Sequence, residues 1–303
     1  MLFVLAAAAA ACDHPQSPDA GDQPGTTASD ADSLVMVDDL GREVEVAGDV
    51  RRVASLSPGF TEALFEMGCG DRVVLRDLRS DYPAGVARIP AVDGLRPDAG
   101  RVAASRPDLV LLYAVDHMQA RAFGKVGLSA AVLDPGGYDE VVEQIADLGA
   151  MVGCGSGASD LAVRMRETRR RVARLAAEHD EPRVYVELDG SDQARPWTIA
   201  EGSFVDELLR IAKGRNVVEG LSGGYVQVSA EAVIRADPEV VLLLGEGASA
   251  EDFALRTGWS DVTAVREGRV IDGIDADLLV RPGPRLATGL DVLLAAIHGD
   301  GLE

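Results

Sequence analysis

A serine and a histidine have the setting that most resembles a catalytic pair. Ser222 lies in the segment GLSGG, which satisfies the G-x-S-x-G pattern of serine hydrolases, and His298 follows it in the chain. That motif needs a strand before the serine and a helix after it, yet residues 225–229 (YVQVS) are typical of an extended segment. The sequence favours a glycine loop and leaves a serine esterase built on Ser222 and His298 as a distant alternative.

The other reactive residue types lack the spacing of a catalytic, cofactor or metal site. The glycines at 153–157 (GCGSG) do not form G-x-G-x-x-G, and they follow a predicted helix rather than a strand. The sequence contains no phosphate loop of the G-x-x-x-x-G-K form. Its three cysteines and four histidines are scattered, without the spacing of metal ligands. We expect a binding protein with no catalytic residue, metal or cofactor.

The charge of the chain excludes two classes of partner. Lys and Arg number 29 against 50 Asp and Glu, which leaves a formal net charge of −21. Such a surface repels nucleic acid and anionic lipid, and it is suited to a partner with a basic docking face. With 303 residues, the chain has room for two lobes that each bury a core.

The N-terminal segment predicts export and anchoring. Residues 1–11 are apolar and end at Cys12, which resembles a lipoprotein signal followed by the lipidated cysteine. Residues 12–37 are rich in Asp, Pro, Gly, Ser and Thr, and we expect them to form a disordered tether. The predicted location is the periplasmic or extracellular face of a membrane. Cys69 and Cys154 then form either a disulfide or two buried thiols, and the count alone favours neither.

An internal repeat organises the rest of the chain. The segment RVASLSPG at 52–59 lies 131 residues before RVYVELDG at 183–190, and both are typical of a buried strand entering a turn. The same offset separates ASRPDLVLL at 104–112 from RADPEVVLL at 235–243. Alternating strands and helices predict an α/β fold of two similar lobes, 38–150 and 182–303, each with a parallel sheet. A linking segment at 151–181, helical from Ala158 to His179, is expected to bridge them across a ligand cleft.

The order of these motifs resembles one known family. The segments RVASLSPGFTEALFEMGCGDRVV, SDYP, RPDLV, GSFVDELL, YVQVSAEAV and RPGPRL, spread over residues 38–297, are similar to class III periplasmic binding proteins. That family serves ABC importers of cobalamin, iron siderophores and haem. The resemblance implies two α/β lobes joined by one long helix. It also implies a monomer that delivers its ligand to a permease dimer.

Within that family the chain most resembles the vitamin B12 binders, which hold a corrin between aromatic side chains of both lobes. The resemblance implies ligand contacts by four aromatic residues and by two charged residues that reach corrin amides: Tyr82, Tyr113, Trp197, Tyr225, Asp277 and Arg281. Gly94, Leu278 and Leu279 stand where those binders carry further aromatics. A cobalamin or related corrinoid is therefore the expected ligand.

Two other ligands of the same family remain as alternatives. An anionic ferric siderophore needs cations, which Arg76, Arg79, Arg96 and Arg281 could supply. Haem needs an iron ligand, for which the candidates are Tyr82, Tyr113 and His117.

Docking to the permease is expected to use one acid on each lobe. By resemblance, Glu231 in VSAEAV is the acid of the second lobe. The repeat offset places its partner at Gly100, which carries no charge, so Asp98 is the expected substitute, with Glu62 and Glu66 as further candidates. A plain helix N-terminal acid is the alternative interpretation of Asp98.

Overall fold

The computed structural model of the chain describes residues 33–113, 117–218, 220–221 and 223–299. The expected signal at 1–11, the lipidation residue Cys12 and most of the expected tether lie outside the described residues. So does Ser222, the nucleophile of the esterase alternative.

A two-stranded antiparallel hairpin precedes the first sheet. Strand β1 (Leu34–Val37) pairs with β2 (Glu43–Val46), and Leu34 lies opposite Val46. Met36 of β1 is only 2% exposed because it packs into the core of the first lobe. The expected tether over 12–37 is therefore too long at its C-terminal end, since residues 34–37 form a packed strand.

The first lobe is a parallel sheet with helices around it. Its further elements are β3 (Val53–Leu56), α1 (Pro58–Glu66), β4 (Val73–Asp77), β5 (Ala91–Val92), α2 (Ala99–Ala104), β6 (Leu109–Leu112), α3 (His117–Lys125), β7 (Ala130–Val132) and α4 (Tyr138–Met151). The strand order is β5-β4-β3-β6-β7, with every pairing parallel. The central strands β3 and β6 are buried throughout, as expected where helices cover a parallel sheet.

Helix α5 (Gly155–Ala176) joins the lobes and packs on both α4 and the last helix of the chain. Its 22 residues span about 33 Å. The helix begins three residues before the predicted Ala158 and ends before the predicted His179. Gly157 lies inside the first turn, where a Cβ would stand 2.1 Å from the carbonyl oxygen of Met67. No helix in the described part of the chain is long and apolar enough to cross a bilayer.

The second lobe repeats the plan with additions. Its elements are β8 (Arg183–Asp189), β9 (Trp197–Ile199), α6 (Phe204–Ile211), β10 (Arg215–Asn216), β11 (Tyr225–Gln227), α7 (Ala230–Ala236), β12 (Val240–Leu243), α8 (Ala250–Ala254), α9 (Thr263–Arg266), β13 (Val270–Ile271), α10 (Asp277–Val280) and α11 (Leu286–His298). The strand order is β11-β9-β8-β12-β13, with β10 beside β8. Strands β9 and β11 run antiparallel, so this sheet is mixed where the sequence predicted a parallel one.

The predicted repeat is confirmed down to the strand register. Val53 of β3 pairs with Leu109 of β6, and the equivalent residues 131 positions later, Val184 of β8 and Val240 of β12, pair in the same way. Helices α2 and α7 also begin 131 residues apart. Two similar α/β lobes joined by one long helix are thus the observed architecture.

The lobes share one hydrophobic cluster, and each lobe also has a cluster of its own. A single cluster of buried side chains runs from Val53 in the first sheet to Val184 in the second, through α1, α4, α5, α6 and α11. A carboxylate of the second lobe also crosses the boundary, because Glu207 in α6 accepts a hydrogen bond of 3.0 Å from the backbone N–H of Tyr138 at the start of α4.

The disulfide interpretation of the cysteine pair is confirmed. Cys69, which follows α1, is bonded to Cys154 at the start of α5, with 6.3 Å between their Cα atoms. The bond fastens the first lobe to the bridging helix.

Candidate ligand-binding cleft between the lobes

Two tyrosines follow strand ends of the first sheet. Tyr82 comes after β4 and Tyr113 directly after β6, and the carboxyl ends of parallel strands meet at one edge of the sheet. The Tyr82 ring is 48% exposed, whereas Tyr113 is half-buried. A tyrosine left open at this edge is unusual for a residue whose role is only to fill a core.

Two aromatics of the second lobe share one face of the ribbon formed by β9 and β11. Tyr225 lies opposite Ile199, and Gln227 lies opposite Trp197. Because side chains two residues apart on a strand point to the same face, Trp197 and Tyr225 are diagonal neighbours. Trp197 is 41% exposed and Tyr225 is 51% exposed, so this ribbon offers two rings to the solvent.

Tyr113 of the first lobe has a raised pKa. Burial raises the pKa of Tyr113 to about 12, and the charges of Asp134 and of Tyr225 in the second lobe add to the shift. The Tyr113 phenol is protonated at physiological pH and can donate a hydrogen bond.

Arg281 and Asp277 form part of a larger set of charges, here called the interlobe ion cluster: Glu62, Asp81, Asp275, Asp277, Arg281 and Arg285. Arg281 donates to Asp277 of its own lobe at 2.6 Å. It also donates across the cleft to Asp81 at 2.7 Å and to Glu62 at 3.4 Å. The Arg281 side chain is 14% exposed, so these partners replace the water that a buried guanidinium loses.

Arg285 is the second cation of the cluster. It donates to both carboxylate oxygens of Glu62, at 3.0 and 2.8 Å, and to Asp275 at 3.2 Å. Its guanidinium carbon also lies 4.7 Å from the centre of the Tyr82 ring, within range of a cation–π contact. Arg285 therefore positions one of the cleft aromatics from the opposite lobe.

The pKa directions in the cluster follow burial and pairing. Burial raises the pKa of Glu62, and the hydrogen bonds and charges of Arg285 and Arg281 oppose that shift. The hydrogen bond from Arg281 lowers the pKa of Asp81, which is much more exposed. The hydrogen bond with Glu62 raises the pKa of Arg285. Asp81 thus remains ionised to lower pH than a free aspartate.

The backbones of the two lobes touch beside this cluster. A Cβ on Gly59 would lie 2.1 Å from the carbonyl oxygen of Pro282, and one on Gly283 would lie 2.7 Å from Gly59 Cα. Both positions must be glycine because the two backbones touch. This contact keeps the cluster and the cleft aromatics at a fixed separation.

A cavity of about 650 Å³ adjoins the cleft along α1, α5 and α11. Its lining includes Tyr82, Arg285 and Glu62, together with Leu278. Of the six predicted ligand contacts, Tyr82 alone lines this cavity. Leu278 lines the cavity, whereas Leu279 is fully buried core and is not a cleft residue.

The glycine at position 94 has a local structural reason. Its N–H donates to Asp77 Oδ1 at 2.6 Å, and a Cβ there would lie 2.6 Å from that oxygen and 2.9 Å from the carbonyl oxygen of Leu56. An aromatic side chain at this position would force the loop away from β3 and β4.

The predicted docking residues lie on equivalent helices. Glu231 is exposed in the first turn of α7. Asp98 caps α2 by accepting from Arg101 N at 2.9 Å, and the residue 131 positions later, Ser229, caps α7 in the same way. Asp98 is thus the structural counterpart of Ser229. Of the further candidates, Glu66 is open to solvent and Glu62 is buried.

The geometry supports the esterase alternative and a metal site less well than a ligand-binding cleft. His298 Nε2 lies 2.7 Å from the carbonyl oxygen of Ala212, and its ring stacks on His179 with 4.6 Å between centroids. The histidine of the esterase alternative is therefore already engaged. Among the residues that the structure describes, no group of three or more His, Cys, Asp or Glu side chains could hold a metal ion.

Four members of the cluster were not predicted as ligand contacts: Glu62, Asp81, Asp275 and Arg285. Asp81 and Arg285 stand inside segments that carried the family resemblance, SDYP and RPGPRL, and Glu62 stands in FTEALF. A carboxylate or guanidinium in such a segment is a signal for a site, but the pairing between positions about 200 residues apart is not visible in one sequence.

Comparison with known proteins gives consistent results. The profile of the family described as periplasmic binding protein matches residues 53–276. An ABC transporter substrate-binding lipoprotein of Bacillus subtilis is 27% identical over 99% of this chain and 96% of its own length. The vitamin B12-binding protein of Vibrio vulnificus strain CMCP6 is 24% identical over 81% of this chain and 89% of its own. The periplasmic haem-binding protein RhuT from Roseiflexus, solved in apo form, superposes with a TM-score of 0.73 at 24% identity, covering 82% of this chain and 98% of that one.

Proposed function

The chain belongs to the periplasmic binding protein family, as an ABC transporter substrate-binding protein, and from that premise we propose that it captures cobalamin or a related corrinoid. The single observation that carries the proposal is the presence of solvent-open aromatic rings on both lobes. Trp197 and Tyr225 share one face of the ribbon β9–β11 in the second lobe, and Tyr82 is exposed in the first lobe. Rings on both sides suit a flat macrocycle, because aromatic side chains provide broad apolar contact at low entropic cost.

The charged end of the cleft supports the same ligand. Corrin side chains end in amides, which both donate and accept hydrogen bonds. Asp277 and Arg281, joined at 2.6 Å, place an acceptor beside a donor. Relatives named vitamin B12-binding proteins add to this support.

An anionic ferric siderophore has less support because the cations suggested for it are engaged. Arg76 donates to backbone carbonyls, including that of Val86 at 2.9 Å. Arg79 faces Asp77 and Asp93 at 3.8 and 3.5 Å. Arg281 lies among carboxylates. Only Arg96 of the four is exposed with no ion pair in the described residues.

Haem has less support for a different reason. His117 is exposed at the start of α3 and Tyr82 packs under Arg285. The likeness to a haem-binding protein of known structure reflects the fold and does not select the ligand.

Tryptophan fluorescence tests the ligand directly, because the chain has two tryptophans in different settings. Trp197 is in the cleft, whereas Trp259 is 1% exposed in the core of the second lobe. We expect cyanocobalamin to quench the wild-type emission saturably and a Trp197→Phe variant to lose most of that signal. Calorimetry without saturation at high micromolar cyanocobalamin would contradict the proposal. A Soret band on mixing with haemin would point to the haem alternative, and serine labelling by a fluorophosphonate to the esterase.

Delivery is the second part of the proposal. We infer that Cys12 is lipidated, which would hold the protein at the outer face of the membrane, where it acts as a monomer that hands its ligand to the permease dimer without catalysis of its own. The lipoprotein named among its relatives supports this location. Glu231, exposed on α7, is the proposed docking acid of the second lobe.

A matched pair of charge reversals tests docking. Glu231 and Glu251 are both exposed acids in the first turn of a second-lobe helix, α7 and α8. We expect Glu231→Arg to reduce corrinoid uptake by cells while leaving binding to the purified protein unchanged. Glu251→Arg should leave both unchanged. Equal uptake by the two variants would remove Glu231 from the docking surface.

A further inference from the structure

The interlobe ion cluster has an excess of negative charge. Four carboxylates, those of Glu62, Asp81, Asp275 and Asp277, surround two guanidiniums. Each guanidinium contacts at least two carboxylates within 3.4 Å. An anionic ligand group at this end of the cleft would therefore meet acceptors rather than an available cation.

Asp81 is the most exposed carboxylate of the cluster and contributes one of its two excess negative charges. Without it, Arg281 would keep Asp277 and a 3.4 Å contact with Glu62, which Arg285 holds more closely at 2.8 Å. With it, Nη1 of Arg281, which also contacts Glu62, donates to Asp81 at 2.7 Å. The Asp81 side chain is 68% exposed while Arg281 is 14% exposed, so a ligand reaches the carboxylate before the guanidinium.

We propose that Asp81 sets the charge class of the ligand, excluding anionic ligands and favouring neutral or cationic ones that carry N–H donors. This inference rests on the proposed function, since it concerns the same cleft. An ionised carboxylate is only an acceptor, so the exposed face of Asp81 binds amide or ammonium N–H groups and repels carboxylates.

The variant Asp81→Asn keeps the size of the side chain and removes its charge. It leaves Arg281 partly unpaired and open to an anion. Asp160→Asn is the matched control, because Asp160 is an exposed aspartate on α5 that is not an ion partner of Arg281 and the net charge changes equally. The probes are cyanocobalamin, a monocarboxylate made from it by hydrolysis of one corrin amide, and haemin with its two carboxylates.

We expect wild-type protein to bind cyanocobalamin at least about tenfold more tightly than its monocarboxylate. Asp81→Asn should narrow that ratio and strengthen haemin binding by about tenfold, while Asp160→Asn changes either by less than about twofold. Equal affinity of the wild type for the amide and the carboxylate, or haemin binding that Asp81→Asn does not strengthen, would overturn the inference. If cyanocobalamin does not bind at all, the proposed function fails, and the effect of Asp81→Asn on haemin affinity still decides this one.

Discussion

The two lobes share a frame and differ in the residues that they present to the cleft. Strands β3 and β8, β6 and β12, and helices α2 and α7 repeat at one offset and in one register. The first lobe offers Tyr82 and Tyr113 from loops after parallel strands. The second offers Trp197 and Tyr225 from the antiparallel ribbon β9–β11, for which the first sheet has no counterpart among the described residues.

This difference separates the residues that stabilise the fold from the residues expected to bind the ligand. The repeated segments are buried and apolar, so each lobe must conserve their pattern to keep a core. The second-lobe residues of the candidate cleft lie outside the repeated strands, on the ribbon β9–β11 and on or next to the short helix α10. A duplicated frame thereby supports an asymmetric site.

The largest expected effect comes from a comparison of the two tryptophans of the second lobe, Trp259 in the core and Trp197 on the exposed ribbon. Trp259→Ala should lower the free energy of unfolding by about 3–5 kcal/mol, because the ring is fully buried against Phe253 and Tyr185. Trp197→Ala should change it by less than about 0.5 kcal/mol and instead weaken corrinoid binding. Chemical denaturation and calorimetric titration of both variants test the division. Similar losses of stability would show that Trp197 is a core residue.

The disulfide tests whether the lobes unfold together. Cys69→Ser with Cys154→Ser should cost about 2–4 kcal/mol, since the bond closes a long loop in the unfolded chain. Because one hydrophobic cluster spans both lobes, we expect a single transition to shift to lower denaturant concentration. Fluorescence of Trp259 reports the second lobe, far in sequence from the bond. A second-lobe transition that stays in place while far-ultraviolet circular dichroism shifts would mean that the lobes are independent.

Removal of Arg285 tests how much the interlobe ion cluster stabilises the protein. It also gives a pH dependence of stability whose sign can be predicted. Arg285→Gln should destabilise the protein by about 2 kcal/mol at neutral pH, less than for a fully buried pair because Arg281 remains. The pKa of Glu62, already raised by burial, should rise further without Arg285. A raised pKa means that the folded state holds the proton more tightly than the unfolded state. Stability of the variant should therefore fall as pH increases from the ordinary value of 4.5 through the folded pKa.

The control for this experiment is Arg164→Gln. Arg164 pairs with Glu66 at 3.1 Å, one turn along α1 from Glu62, but both side chains are exposed. We expect a loss below about 1 kcal/mol with little pH dependence. If Arg285→Gln and Arg164→Gln lose similar stability with a similar pH dependence, burial in the interlobe ion cluster is not the cause of the Arg285 effect.

The smallest expected effect compares equivalent caps. Asp98→Ala and Ser229→Ala each remove a side chain that accepts an N–H in the first turn of its helix. Each should cost about 1 kcal/mol by thermal or chemical unfolding. A clear loss of uptake for Asp98→Ala at unchanged stability would instead identify Asp98 as a docking acid.

The two lobes and their central strands could be predicted from the sequence because the signals for them are local. The buried runs VASL and LVLL, the turns after them and the shared offset predict strands and lobes without tertiary information. The start of α5 was missed because glycines normally disfavour a helix, and the approach of Met67 explains only Gly157. The extended conformation predicted for residues 225–229 is confirmed by β11, but strand β9 and the antiparallel pairing of the two strands were not predicted.

Only part of the candidate site could be predicted from the sequence. The family resemblance singled out the aromatic residues, while the cysteine count left a disulfide and two buried thiols equally open. The pairing of Arg281 with Asp81, 200 residues away, depends on how the lobes meet, as does the burial of Glu62. Single sequences carry no signal for such contacts.

The touching backbones at Gly59 and Gly283 have an evolutionary consequence. A gene that arose by duplication normally allows its halves to drift apart, each under its own constraints. Here any substitution at Gly59 needs room that only a movement of the Pro282 segment in the other half could provide. We expect the two halves to change in concert along this line of contact, so that hybrids joining halves from distant relatives fail there first.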